Sequence, residues 1–195
     1  MTRISDDIRW AALVVVLAIT TACGTASGTT ATQRPQCPPG RSASWQRWAD
    51  RVHMTVFCPS WLPVQLDGSI GGADTTATSP GRHWQVQFVW RADDFSQLIH
   101  VVFEGFAPGT WPARCGGEPC YGDATGRETI AGHRVTWFAD NHGSSTGHIA
   151  AMFRDGANRY TVSLHVIDPY TAASARATVQ RIVAGLVPVA PTSTA

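Results

Sequence analysis

The run from Trp10 to Cys23, WAALVVVLAITTAC, constrains the chain most, because it decides the compartment in which every later residue folds. Met1 to Arg9 carries Arg3 and Arg9 beside Asp6 and Asp7, and thirteen uncharged residues, Trp10 to Ala22, follow. A bilayer core about 30 Å thick calls for roughly 20 apolar residues in a helix. The run is short of that and fits the apolar core of a signal peptide over residues 1–22. Cys23 comes next, and then the polar run GTASGTTATQRPQ, which no membrane helix would tolerate.

Thr20, Thr21, Ala22, Cys23 and Gly24 resemble the lipobox of bacterial lipoproteins. In that family an aliphatic residue and two small residues usually precede the invariant cysteine. Ala22, Cys23 and Gly24 match, Thr21 is small, and Thr20 stands where Leu is commonest. The resemblance implies that Cys23 becomes the mature N-terminus and carries thioether-linked diacylglycerol, usually with an added N-acyl chain. It also implies that the folded part is held at the outer face of the cytoplasmic membrane. The alternative is cleavage after Ala22 or Ala26 by the ordinary secretory peptidase, which releases a free secreted protein.

The cysteine count agrees with the anchor. An odd cysteine in an exported protein needs a reason, and lipidation of Cys23 leaves an even set, Cys37, Cys58, Cys115 and Cys120. Disulfides persist in that compartment. Of the three connectivities, Cys37 with Cys58 and Cys115 with Cys120 is favoured, the second pair enclosing only the turn-forming Gly116-Gly117-Glu118-Pro119. A zinc site on Cys115 and Cys120 lacks a second pair of ligands.

Composition narrows the function classes. A formal charge of +1 gives no footprint for nucleic acid. All fifteen basic residues are arginine. Without lysine there is no Schiff-base chemistry, no Walker-type phosphate loop and no Ser-Lys catalysis. The Arg, Ala, Gly and Thr bias suits a GC-rich genome such as an actinobacterium's.

The expected organisation is a lipidated cysteine and flexible tether over 23–43, one α+β domain over 44–187, and a disordered tail over 188–195. Pro35, Pro38 and Pro39 break the tether. From Ser44 a short helix places Trp45, Trp48 and Val52 on one face. Strands are expected at Met54–Cys58, Val64–Ile70, His83–Arg91 and Gln97–Glu104, with a loop over Gly71–Gly81. The alternation of Trp84, Val86, Phe88 and Trp90 makes the third of these the clearest. Phe106 to Gly126 reads as irregular. Four more strands follow at Arg127–Ala131, His133–Asp140, His148–Arg154 and Arg159–Ile167, parted by turns with the Gly or Asn that positive φ demands. The final helix, Tyr170 to Leu186, has the apolar stripe Ala175, Val179, Ile182, Val183 and Leu186. The fold class is therefore an antiparallel meander of about six to eight strands, backed by a C-terminal helix.

The closing pattern, Ile130-Ala131-Gly132-His133, a Trp/Phe strand, Asp155-Gly156, Tyr160, Val162 and a helix, is similar to small extracytoplasmic domains of uncharacterised bacterial lipoproteins. It covers the last third of the chain and carries no chemistry over.

Three constellations bear on function. Gly143-Ser144-Ser145-Thr146-Gly147 matches the G-x-S-x-G elbow of hydrolases, but that device needs a helix directly after it, and a strand-like run follows. Asp140, His142 and His148 flank the same hairpin tip and are candidate metal ligands. Trp61 and Trp111 lie in proline-broken segments, where an apolar ring suits a ligand cleft or partner surface. The expectation is an anchored binding or envelope-organising module, with no enzymatic activity and no cofactor, that meets an envelope protein or a small hydrophobic ligand. A small-ligand or metal carrier is the alternative, and a hydrolase comes third.

Overall fold

A computed structural model of the chain describes residues 34–63, 75–91, 98–115, 118–140 and 147–192. The signal sequence, Cys23, the expected strand at 64–70, and the segment 141–146 with His142 and Ser145 lie outside the described residues. Among the described residues no helix is long and apolar enough to cross a membrane.

Helix α1 (Pro39–Val52) opens on a proline at its first turn, where the missing N–H costs nothing, and ends at His53 in the left-handed region. Trp45, Trp48, Ala49 and Val52 make its buried stripe. The expected tether thus ends earlier than residue 43, since residues 39–43 are already helical. A disulfide between Cys37 and Cys58 ties the start of this helix to strand β1 (Val56–Pro59).

The main sheet has seven antiparallel strands in the order β2-β3-β4-β10-β9-β8-β7. These are β2 (Thr75–Ser79), β3 (His83–Arg91), β4 (Leu98–Phe106), β7 (Ala124–Ile130), β8 (His133–Asp140), β9 (His148–Asp155) and β10 (Asn158–His165). The expected α+β class, an antiparallel sheet backed by a C-terminal helix, holds, with two differences in detail. Residues 75–79, expected in a loop, form the edge strand β2, where Thr-rich sequence suits a half-paired position. The meander is also broken in two, because after β4 the chain crosses to the far edge and returns by hairpins, so β10 pairs with β4. The crossing segment, residues 107–123, carries a short hairpin of β5 (Arg114–Cys115) and β6 (Glu118–Pro119). Cys120 is buried and disulfide-bonded.

Period-two alternation gives the sheet two unlike faces. Trp84, Val86, Phe88, Val101, Phe103, Val135, Trp137, Phe153, Tyr160, Val162 and Leu164 are buried on one of them. Both helices pack there. Trp45 of α1 meets Phe88 and Phe103 at ring separations of 6.4 and 6.2 Å. Helix α2 (Ala172–Ala184) is capped by Thr171, whose hydroxyl accepts from the Ser174 N–H, and buries Ala175, Val179, Ile182 and Val183. Glu128 fastens it to the sheet, accepting from the Trp137 indole at 2.6 Å, from Arg176 at 3.1 Å and from Gln180 at 3.2 Å.

After α2 the chain does not fray as expected. Leu186–Val189 is strand β11, paired with β1. Ala190 accepts from Gln46, and Thr192 donates backbone and side-chain hydrogen bonds to Asp50. Pro59 and Pro188 are tolerated because this ribbon has only two strands, so a proline can face away from pairing. Every residue of the main core lies between Trp45 and Leu186, so residues 34–195 carry their own core.

Candidate metal centre

The sheet face away from the helices carries the candidate site. Alternation puts His100, Val102 and Glu104 of β4 on this face, with Thr161, Ser163 and His165 of β10 and His148, Ala150 and Met152 of β9. Thr161 is opposite Glu104 and Ser163 opposite Val102, and the next step in that register sets His165 opposite His100. On its other side His165 is directly opposite His148. One cross-strand row therefore reads His100, His165, His148.

The three rings form a cluster. Centroids are 4.5 Å apart for His148 and His165, 4.9 Å for His100 and His165, and 5.0 Å for His100 and His148. Each ring offers a nitrogen, and these atoms all lie within 4.8 Å of one another. His148 Nε2 and His100 Nε2 are 2.9 Å apart and share a hydrogen bond, so one of the two is a bare lone pair. His100 Nδ1 is buried with no hydrogen-bond partner among the described residues. His165 is 9% exposed.

Burial, and then the neighbouring His165, pushes the His100 imidazole down from 6.5 to about 4. His100 is therefore neutral at pH 7, which is the form that binds a metal. Two imidazoles on a tetrahedral ion at about 2.0–2.1 Å stand roughly 3.3 Å apart. The His100–His148 pair needs to open by only a few tenths of an ångström for an ion to replace the shared proton. Three neutral imidazoles suit Zn2+ or Cu2+ and leave a coordination position open for water or an incoming ligand.

The sequence-level trio is brought together only in part. His148 belongs to the cluster, Asp140 is its cross-strand partner on β8, and His142 lies outside the described residues. His100 and His165 were not singled out from sequence. Their signal was present, since each stands on the polar face of an expected strand. Joining them requires that β4 lie beside β10, a contact between strands more than fifty residues apart.

Trp61 and Trp111 do not share a cleft. Trp61 packs on the helix side, with the Arg181 guanidinium 3.7 Å from its ring centroid. Trp111 lies on the opposite face, stacked on Tyr121 at 4.6 Å and edge-on to Phe106 at 5.1 Å. Tyr121 and Thr161 both donate to Glu104, at 3.2 and 3.0 Å, and His83 stands 3.4 Å from the same carboxylate. His133 is half-buried beside Phe57 and Phe153, with its pKa lowered by burial against an opposing pull from Asp155.

No protein-family model, no curated protein and no solved structure matches this chain.

Proposed function

We propose that this chain is an exported protein, anchored through a lipidated Cys23, whose folded domain binds a transition-metal ion through His100, His148 and His165. The observation that carries the metal reading is the row of three imidazoles with one ring nitrogen each inside 4.8 Å. Partly buried histidines are normally given carbonyl or carboxylate partners. Here His100 and His148 bond to each other and His100 Nδ1 has no hydrogen-bond partner among the described residues, an arrangement open to a cation. A carrier fits better than a general envelope-organising module for that reason. Support for the anchor is the lipobox-like run, the odd cysteine and the Cys37–Cys58 disulfide, which fits an oxidising compartment. Pairing of Cys115 with Cys120 belongs to the same reading.

Titration calorimetry of Zn2+ into metal-stripped residues 34–195 tests the site. One ion per chain is expected, with binding lost in His100→Ala, His148→Ala and His165→Ala and retained in His53→Ala. Binding that ignores the three substitutions would remove the metal reading. Intact mass of protein extracted from membranes tests the anchor, through the added acyl mass and the absence of free thiols. An unmodified start in the culture fluid would remove it.

A further inference from the structure

The same sheet face carries, at its other end, a concentration of one charge. Arg159 of β10 is directly opposite Arg154 of β9. Two residues beyond the Thr136–Met152 pair, the register sets Arg134 of β8 beside Arg154, and Arg127 of β7 is opposite Thr136. Arg127, Arg134 and Arg154 are exposed and Arg159 is half-buried. Among the described residues none of the four is paired with a carboxylate. Like charges directly across a ladder destabilise it, so four arginines together on a chain of net charge +1 need a compensating anion.

The side chains surround two adjoining hollows. One, about 360 Å3, is lined by Arg127, Arg134 and Arg154 with Thr136 and Met152. The other, about 270 Å3, is lined by Arg154 and Arg159 with Pro108, Ala157 and Trp111. Arg154 lines both. Arg159 lies over the Trp111 ring at 5.3 Å, which holds its guanidinium in place. Guanidinium forks match phosphate oxygens two at a time, and the interleaved Met, Pro, Ala and Trp surface suits the ester carbons attached to a phosphate.

We infer that the face formed by Arg127, Arg134, Arg154 and Arg159 docks on anionic phospholipid headgroups of the bilayer. The choice of a membrane over another polyanion rests on the lipid-anchored reading. Thirteen residues between Cys23 and Cys37 stretch to about 40 Å, which keeps the domain within reach of the headgroups. Docking then sets the orientation of the domain, with the histidine row on the same face at the opposite end of the strands.

Co-sedimentation of residues 34–195 with vesicles tests this without the anchor, so its outcome is separate from that of the acylation measurement. Binding is expected to vesicles of phosphatidylcholine with phosphatidylglycerol, to be absent from phosphatidylcholine alone, and to weaken with salt. Each arginine near an anionic surface contributes about fivefold, so Arg134→Gln with Arg154→Gln should weaken partitioning about 30-fold. Both positions are exposed, and an unchanged melting temperature confirms that the variant is folded. The inference is overturned by no binding at low salt, by binding the variant keeps, or by tight binding of free glycerol phosphate without binding to vesicles.

Discussion

Acid should loosen this domain in part through His100. An unfolded histidine titrates near 6.5, whereas burial and the neighbouring His165 hold folded His100 at about 4. Between those values the unfolded chain carries the proton and the folded chain does not. The stability tied to His100 is therefore complete above about pH 6.5, falls as pH drops, and is gone near pH 4. At about 1.4 kcal/mol per pH unit the full window would be worth about 3.5 kcal/mol. His100 is only partly buried, so solvent screening reduces this to on the order of 2 kcal/mol. For a domain of this size that corresponds to a melting temperature lower by about 4–8 °C at pH 4 than at pH 7. Circular-dichroism melts of metal-stripped protein across pH 4–7, compared with His100→Gln, isolate the effect from carboxylate titration common to both. The variant should lose that much of the pH dependence. A variant with the wild-type slope between pH 4 and 6.5 would refute the assignment.

Other consequences concern the frame that holds the row. Glu128→Ala strands the buried Trp137 indole and releases Arg176 and Gln180, and denaturant melts should show a loss of about 1–3 kcal/mol. Ala131 takes φ 48° in the β7–β8 turn beside Gly132 at φ 88°, so Ala131→Gly should raise stability by about 1 kcal/mol in the same assay. Gly105 lies under the Trp84 indole with no room for a Cβ, and Gly105→Ala should cost about 1–3 kcal/mol by forcing that ring aside.

Local pattern made much of the fold legible. The Trp84-Val86-Phe88 alternation, the α2 stripe and the Ala131-Gly132 turn each place a strand, helix or hairpin from residues close in sequence. Residues 75–79 were obscure because their Thr-rich run has no apolar alternation, and pairing with β3 supplies what the run lacks. Residues 188–192 depart from the expected tail because Pro188 and Pro191 look like an ending, while Gln46 and Asp50 of α1 hold this stretch from more than a hundred residues away. The site failed to show for the same physical reason. A meander sets β4 beside the next strand in sequence, and only the crossing to the far edge brings His100 next to His165. Hydrophobic periodicity determines which face a histidine takes, not which strand is its neighbour. The arginine row differs, since β7 to β10 are consecutive strands of the expected meander and the four arginines meet through the register of those neighbouring pairs.

The most direct measurement is X-ray absorption at the zinc edge on residues 34–195 loaded with one equivalent of Zn2+. Three imidazole nitrogens at about 2.0–2.1 Å, with the imidazole scattering lost in His165→Ala, is the expected result. A shell of oxygen ligands alone, or a spectrum unchanged by that substitution, would contradict the three-histidine site.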